Sequence, residues 1–234
     1  TIDHLDGLVE AMYAGPQPLT AQADGFFGLG VVRQLDTTRL DALVARVRAS
    51  GVAMVPTQIL ADNYASDATG AALVAAPEFA YWVPQQVAAW RAAKDQLLAD
   101  AAVPREDRQA FLALRRRLLR ALHAAGVPFL LGSDAPQLWN VPGFSAHREL
   151  AALVEAGLTP YQALRTGTVD VAAFMGEAGR AGVVRQGARA DLLLLDADPR
   201  AAIAHTQRIH GVVVAGRWIG PDERARLLAA LTTR

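Results

Sequence analysis

The sequence predicts an α/β fold with parallel strands over most of its length. Three observations carry that expectation. Short apolar runs alternate with segments of helical periodicity between residues 1 and 178. The run Val127–Leu131 stops abruptly at Gly132-Ser133-Asp134. Beyond residue 179, apolar runs follow one another closely with no helical pattern between them. A buried strand that delivers a carboxylate to its C-terminal lip is how α/β barrels present their chemistry, so Asp134 is the leading catalytic candidate. Asp also caps turns and helices, so its weight depends on the residues that accompany it.

Each element has a local reason. Residues 1–60 read as a strand and loop, a helix, then a second strand. Thr37 or Thr38 caps a helix that carries Leu40, Leu43, Val44 and Val47 on one face and stops at Gly51. Val52–Leu60 is a β-type run with Pro56 near its end, and the small, polar residues 61–78 read as a loop. Pro84 opens a helix with Val87, Trp90, Lys94 and Leu97 at helical spacing. Pro104 opens another, with Phe111, Leu114, Leu118 and Leu122 in a stripe. Arg115, Arg116 and Arg117 fan over about 200° of that helix, which favours a solvated flank over a phosphate site. Gly126 ends the helix before the strand that carries Asp134.

A loop over 135–144 leads to helices near Ser145, Thr159-Pro160 and Asp170, the last with Val171, Phe174 and Met175 as core. From Gly179 onward, Asp191–Asp196, Ile209–Ala215 and Arg217–Ile219 suggest a small antiparallel module. A terminal helix follows from Pro221.

Composition narrows the function classes. The chain has 234 residues, 52% of them hydrophobic, and a formal net charge of zero. That length suffices for one large domain or a domain with a small appendage. The balanced charge gives no electrostatic reason to bind nucleic acid or an anionic membrane. Cysteine is absent, which excludes disulfides, thiolate-bound zinc, iron–sulfur clusters and a Cys nucleophile. No apolar run reaches the roughly 20 residues of a membrane span. The chain opens Thr1-Ile2-Asp3-His4, with neither an initiator Met nor a charged leader, so it reads as a processed or excised piece whose compartment is unspecified.

A set of motifs then lines up in order. His4 stands in Thr-Ile-Asp-His-Leu-Asp-Gly, Val55-Pro56-Thr57 ends the second apolar run, and Asp134 ends the third. Downstream come His147-Arg-Glu-Leu150, Glu155-Ala-Gly-Leu-Thr-Pro160 and Gly187-Ala-Arg-Ala-Asp-Leu-Leu-Leu-Leu-Asp196. The series resembles the metal-dependent amidohydrolase superfamily, in its imidazolonepropionase-like and Xaa-Pro-dipeptidase-like branch.

That resemblance implies the C-terminal part of a (β/α)8 TIM-type barrel, strands six to eight, over residues 1–178. It implies a small β-sandwich segment over 179–220 and a C-terminal helix over 221–234. The implied activity is hydrolysis of a C–N bond in an amide, peptide or cyclic amide, with a small molecule or dipeptide as substrate. His4 and Asp134 become metal ligands, Asp134 also the general base, and the implied cofactor is a divalent metal, zinc first, with one or two ions in the complete parent. Such an ion makes hydroxide available at neutral pH, and an adjacent carboxylate relays the proton to the leaving nitrogen.

The departures from the pattern carry their own expectation. The chain contains no His-x-His, and its one lysine, Lys94, lies within a helix. Catalytic zinc takes three protein ligands, and His4 with Asp134 supplies two. Three strands leave a barrel open at an edge. The chain alone is therefore expected to bind metal weakly and be inactive without its N-terminal barrel half or a homo-oligomeric partner.

His147 faces either substrate at the site mouth or a helix cap. Tyr64, with Asn63, is a candidate to line the substrate pocket. His123 suits a helix C-terminus, and His205 and His210 read as structural. The insertion 77–125 is a candidate lid over the site. The competing expectation is a non-catalytic, truncated barrel that serves as a structural or partner-binding module. A weaker one treats the β-module as a ligand-binding domain beside an unrelated α/β domain.

Overall fold

The parallel strands of the computed structural model are very short, and their ends carry the residues of interest. The structure describes residues 1–232, so positions 233 and 234 of the expected terminal helix lie outside the described residues. Strand β1 (Ile2–Asp3) pairs in parallel with β2 (Met54–Val55), with Ile2 opposite Met54 and Asp3 opposite Val55. The segment 127–131 extends this sheet through a parallel bridge between Phe129 and Met54. There the Met54 N–H donates to the Pro128 carbonyl at 2.9 Å and the Leu130 N–H donates to the Met54 carbonyl at 2.8 Å. The three segments thus lie side by side in chain order.

Helices fill the intervals. Between β1 and β2 come α1 (Ala21–Asp24) and α2 (Leu40–Ser50). Between β2 and the Phe129 segment come α3 (Gln58–Ala65), α4 (Gly70–Val74), α5 (Pro84–Ala99) and α6 (Arg105–Ala124). Then follow α7 (Phe144–Glu155), α8 (Pro160–Thr166) and α9 (Val169–Phe174). The result is α/β and rich in helix.

The boundaries follow local chemistry. Asp36, just ahead of the expected threonines, accepts the Thr38 N–H at 3.1 Å and starts the turn that leads into α2. Gly51 ends that helix in the left-handed conformation, φ 70°. Thr159 and Gln162 form a capping box at α8. The core gathers Leu40, Val44 and Val47 of α2, Leu118, Leu119 and Leu122 of α6, and Leu150 and Leu153 of α7 around Met54 and Phe129. A helical stripe of this width buries itself against the sheet because the apolar area removed from water stabilises by roughly 25 cal/mol per Å2.

Several expectations change. The run 52–60 is strand only at Met54–Val55, because Pro56 has no N–H to continue a ladder and α3 begins at Gln58. Residues 61–78, expected as loop, hold the rest of α3 and α4, the latter capped by Thr69. The strand 127–131 reduces to a single bridge. Phe174 and Met175, expected in the core, are 53% and 68% exposed at the end of α9. Arg115, expected on a solvated flank, is 1% exposed.

Beyond residue 179 the chain forms an antiparallel meander of β3 (Leu192–Leu195), β4 (Ile209–Val214) and β5 (Arg217–Ile219), followed by α10 (Pro221–Ala229). Leu193 pairs with Val212, and Val213 with Trp218. Among the described residues this module is one three-stranded sheet, with Leu193, Leu194, Val214 and Trp218 about half exposed. No helix among the described residues is long and apolar enough to cross a membrane.

Candidate active site

Each parallel segment ends in a non-glycine residue with left-handed backbone. His4 follows β1 with φ 58°, Thr57 follows β2 with φ 44°, and Asp134 follows the third segment with φ 53°. Such conformations cost on the order of 1–3 kcal/mol each and persist only where the surroundings over-determine them. Gly132 is part of that setting. A Cβ there would stand 2.4 Å from Val55 Cγ1, so the Asp134 segment passes β2 at a distance only glycine allows. The following loop is held by Asn140, whose Nδ2 donates to the Ser133 carbonyl and whose Oδ1 accepts from Asn63 Nδ2 at 2.9 Å.

The hydrogen bonds of Thr57 fix the state of His4. The hydroxyl has one proton and donates it to the Pro56 carbonyl at 2.8 Å. It therefore accepts from His4 Nδ1, 2.6 Å away, so Nδ1 carries a proton and Nε2 is the ring nitrogen left free of Thr57. Nε2 faces Asp134 Oδ2 at 3.7 Å, with the two side chains 22% and 30% exposed. Phe27 stacks on the imidazole, centroids 5.1 Å apart.

The pair opens into a cavity of about 520 Å3 lined also by Asp6, Glu10, Asp24, Phe26, Phe27, Leu60, Gln137 and Leu138. Burial, then the facing charges of Asp24 and Asp6, pushes the Glu10 carboxyl up; burial does the same to Asp24. Among the described residues Glu10 Oε2 and Asp24 Oδ1 are buried without a hydrogen-bond donor.

An imidazole with Nδ1 engaged and Nε2 free, facing a carboxylate, suits zinc in donor type. Its 3.7 Å span is close to the roughly 3.4 Å between ligand atoms around a tetrahedral zinc. The number of donors falls short, because among the described residues no group of three or more His, Asp or Glu side chains is gathered to hold an ion.

Other candidates lie elsewhere. His147 Nδ1 bonds the Thr206 hydroxyl at 3.0 Å, tying α7 to the segment before β4. It borders a separate cavity with Asp62, Arg116 and Glu155. Tyr64 stacks on Phe26 with centroids 3.8 Å apart and so stands behind the cavity wall. Lys94 donates to the carbonyls of Asn63, Tyr64 and Ser66, closing the C-terminal end of α3. The insertion 77–125 contributes no lining residue to the His4–Asp134 cavity; Ala21–Phe27 borders it instead.

Sequence reasoning passed over two charged groups that support the site. Glu149 is fully buried and accepts the Gln58 N–H on Oε1 at 3.0 Å and the Ile59 N–H on Oε2 at 2.7 Å. It caps α3 from α7 because the N-cap residue Thr57 spends its hydroxyl on Pro56 and His4. Burial pushes this carboxyl up to about 7 against the pull of its two N–H donors. Arg115 donates to the His4 and Pro56 carbonyls and to Gln58 Oε1, and burial lowers its guanidinium to about 10, leaving it charged at neutral pH. Glu149 lies in the motif His147-Arg-Glu-Leu150 and Arg115 in the arginine triplet, but neither pattern reveals burial.

The sequence model of the amidohydrolase family matches residues 35–219. The chain belongs to the amidohydrolase family. Asp134, Tyr64 and His147 fall inside the match, and His4 precedes it. Among solved structures this amidohydrolase chain is similar to a bottromycin amidohydrolase, at 24% identity and TM-score 0.62, over 88% of this chain and 47% of that one. It is also similar to a Xaa-Pro dipeptidase with methionine bound in its active site, at 17% identity and TM-score 0.53, over 83% of this chain and 42% of that one. These likenesses show the fold, and the chain spans less than half the length of either neighbour. Comparison with curated proteins gives no match.

Proposed function

We propose that this chain is part of a metal-dependent hydrolase of C–N bonds, acting on an amide, peptide or cyclic amide of small-molecule or dipeptide size. The observation that carries the reading is the His4–Asp134 pair, with its imidazole tautomer set by Thr57 and its carboxylate 3.7 Å away. His4 through Nε2 and Asp134 through its carboxylate would hold the ion, zinc being the first choice. When bound, a divalent ion lowers the pKa of its water to about 7. Asp134 accepts the proton of the attacking water and passes it to the leaving nitrogen. Phe26 and Phe27 line an apolar wall for the substrate, with Tyr64 supporting Phe26 and His147 a more remote contact for a longer substrate.

The barrel reading goes with this function. In that reading residues 1–178 supply strands six to eight of a TIM-type barrel, 179–220 belong to a small β-sandwich, and a terminal helix begins at Pro221. The neighbours' greater length supports further ligands coming from an N-terminal barrel half, or from a second copy of the chain. A second reading, a non-catalytic module that binds a partner, goes with the two ligands gathered among the described residues.

Zinc titration against a competing chelator separates the two. The hydrolase reading expects weak zinc binding by the purified chain, which lacks its remaining ligands, and His4→Ala and Asp134→Asn each abolish it. Equal binding, or none, in all three proteins overturns it and leaves the module.

A further inference from the structure

Arg115 stands on α6, far along the chain from the residues it serves, and is buried beneath the two strand ends that carry His4 and Thr57. Among the described residues its three hydrogen bonds all reach that neighbourhood. Nη1 donates to the His4 carbonyl at 2.8 Å, Nη2 to the Pro56 carbonyl at 3.2 Å and Nε to Gln58 Oε1 at 3.0 Å. The Phe111 ring lies 5.5 Å from the guanidinium carbon and shields it from water. Removing a cation from water is costly, so a site that needed only packing is better served by an apolar side chain. What a guanidinium adds is a rigid planar fork that fixes the spacing of several acceptors at once.

Those acceptors sit at the left-handed backbone of His4, Leu5 and Thr57, with φ values of 58°, 62° and 44°. Strained backbone of this kind relaxes unless it is held from outside. The Pro56 carbonyl that Arg115 engages is also the one that takes the Thr57 hydroxyl proton. One side chain thus bears on both ends of the 2.6 Å contact between His4 Nδ1 and Thr57 Oγ1.

We propose that Arg115 is a positioning residue: its buried fork ties the His4 backbone to that of Pro56, keeping the imidazole Nδ1–H donated to the Thr57 hydroxyl and Nε2 turned toward Asp134. The inference rests on the reading that His4 works through Nε2.

The test is 15N NMR of the histidine rings in the intact chain without metal, which reports the nitrogen bearing the proton. His4→Ala assigns the His4 signals, and Thr57→Val supplies the spectrum of an imidazole released from its acceptor. The wild-type chain is expected to carry the His4 proton on Nδ1. Arg115→Lys retains a cation but loses the fork, and is expected to lose most of the His4 Nδ1–H form, approaching the Thr57→Val spectrum. The His147 signal, fixed by Thr206 at 3.0 Å, is expected to stay unchanged and reports an intact fold. A wild-type proton on Nε2, or a folded Arg115→Lys with the wild-type His4 spectrum, overturns the proposal.

Should Arg115→Lys lose the His147 signature, Gln58→Leu removes one guanidinium acceptor and is expected to shift His4 in the same direction, an unchanged spectrum again overturning it. Because no metal enters the measurement, a chain that holds the Nδ1–H form yet binds no zinc overturns the hydrolase reading and leaves the role of Arg115 standing.

Discussion

Replacing Glu149 by glutamine changes one atom type in a buried contact and gives a stability effect that depends on pH. The carboxyl accepts two backbone N–H groups, from Gln58 and Ile59, one on each oxygen. A glutamine places its carbonyl on one and turns its own N–H2 toward the other, leaving a buried donor unpaired at about 2 kcal/mol. Burial lifts the Glu149 carboxyl from its ordinary 4.5 to about 7. The proton is therefore held more tightly in the fold than in the unfolded chain. Stability from this group is fully present below the ordinary value and is lost as pH rises toward 7. At 1.36 kcal/mol per tenfold change in proton affinity, the loss amounts to about 3 kcal/mol.

The variant lacks this titration, while every other group titrates alike in the two proteins. Glu149→Gln is accordingly expected to be about 2 kcal/mol less stable than wild type near pH 4, below the ordinary carboxyl value, and no less stable near pH 8. Urea unfolding of both proteins at the two pH values measures the gap. A gap that holds constant or widens with rising pH refutes the reasoning, because it places the two N–H donors and the start of α3 ahead of burial in setting the charge.

Other expectations follow from the same structure. Lys94→Met leaves the carbonyls of Asn63, Tyr64 and Ser66 without their buried donor, and is expected to cost on the order of 3 kcal/mol by denaturant unfolding; a loss under about 1 kcal/mol means water replaces the ammonium. Burial holds the His147 imidazole below its ordinary 6.5, so NMR titration is expected to give a lower midpoint. This group's contribution to stability is then lost as pH falls through that midpoint, and a midpoint at or above 6.5 contradicts the burial against Thr206.

Much of the architecture was legible along the chain. The stripe Phe111, Leu114, Leu118 and Leu122 marked α6, Pro84 marked the start of α5, and Gly51 and Gly126 marked helix ends, because periodicity, caps and left-handed glycines are local properties. The antiparallel grouping of three strands after residue 179 was equally local. His4 and Asp134 were legible as a pair through the order of motifs, although 129 intervening residues separate them in the sequence. Local reasoning went astray at Gln58–Ala65, where a β-type run gave way to a helix capped by a distant carboxylate.

The sequence by itself determined which faces of α2 and α6 are apolar, where those helices stop and which carboxylate and imidazole follow the short strands. Only the tertiary structure decided that Arg115 lies inside, 111 residues from the carbonyl of His4 it holds, and that Glu149 caps a helix start 91 residues away at Gln58. The physical reason is that hydrophobic pattern is written residue by residue, whereas a charge stays buried only where partners from distant segments satisfy it, and no local spacing records that meeting.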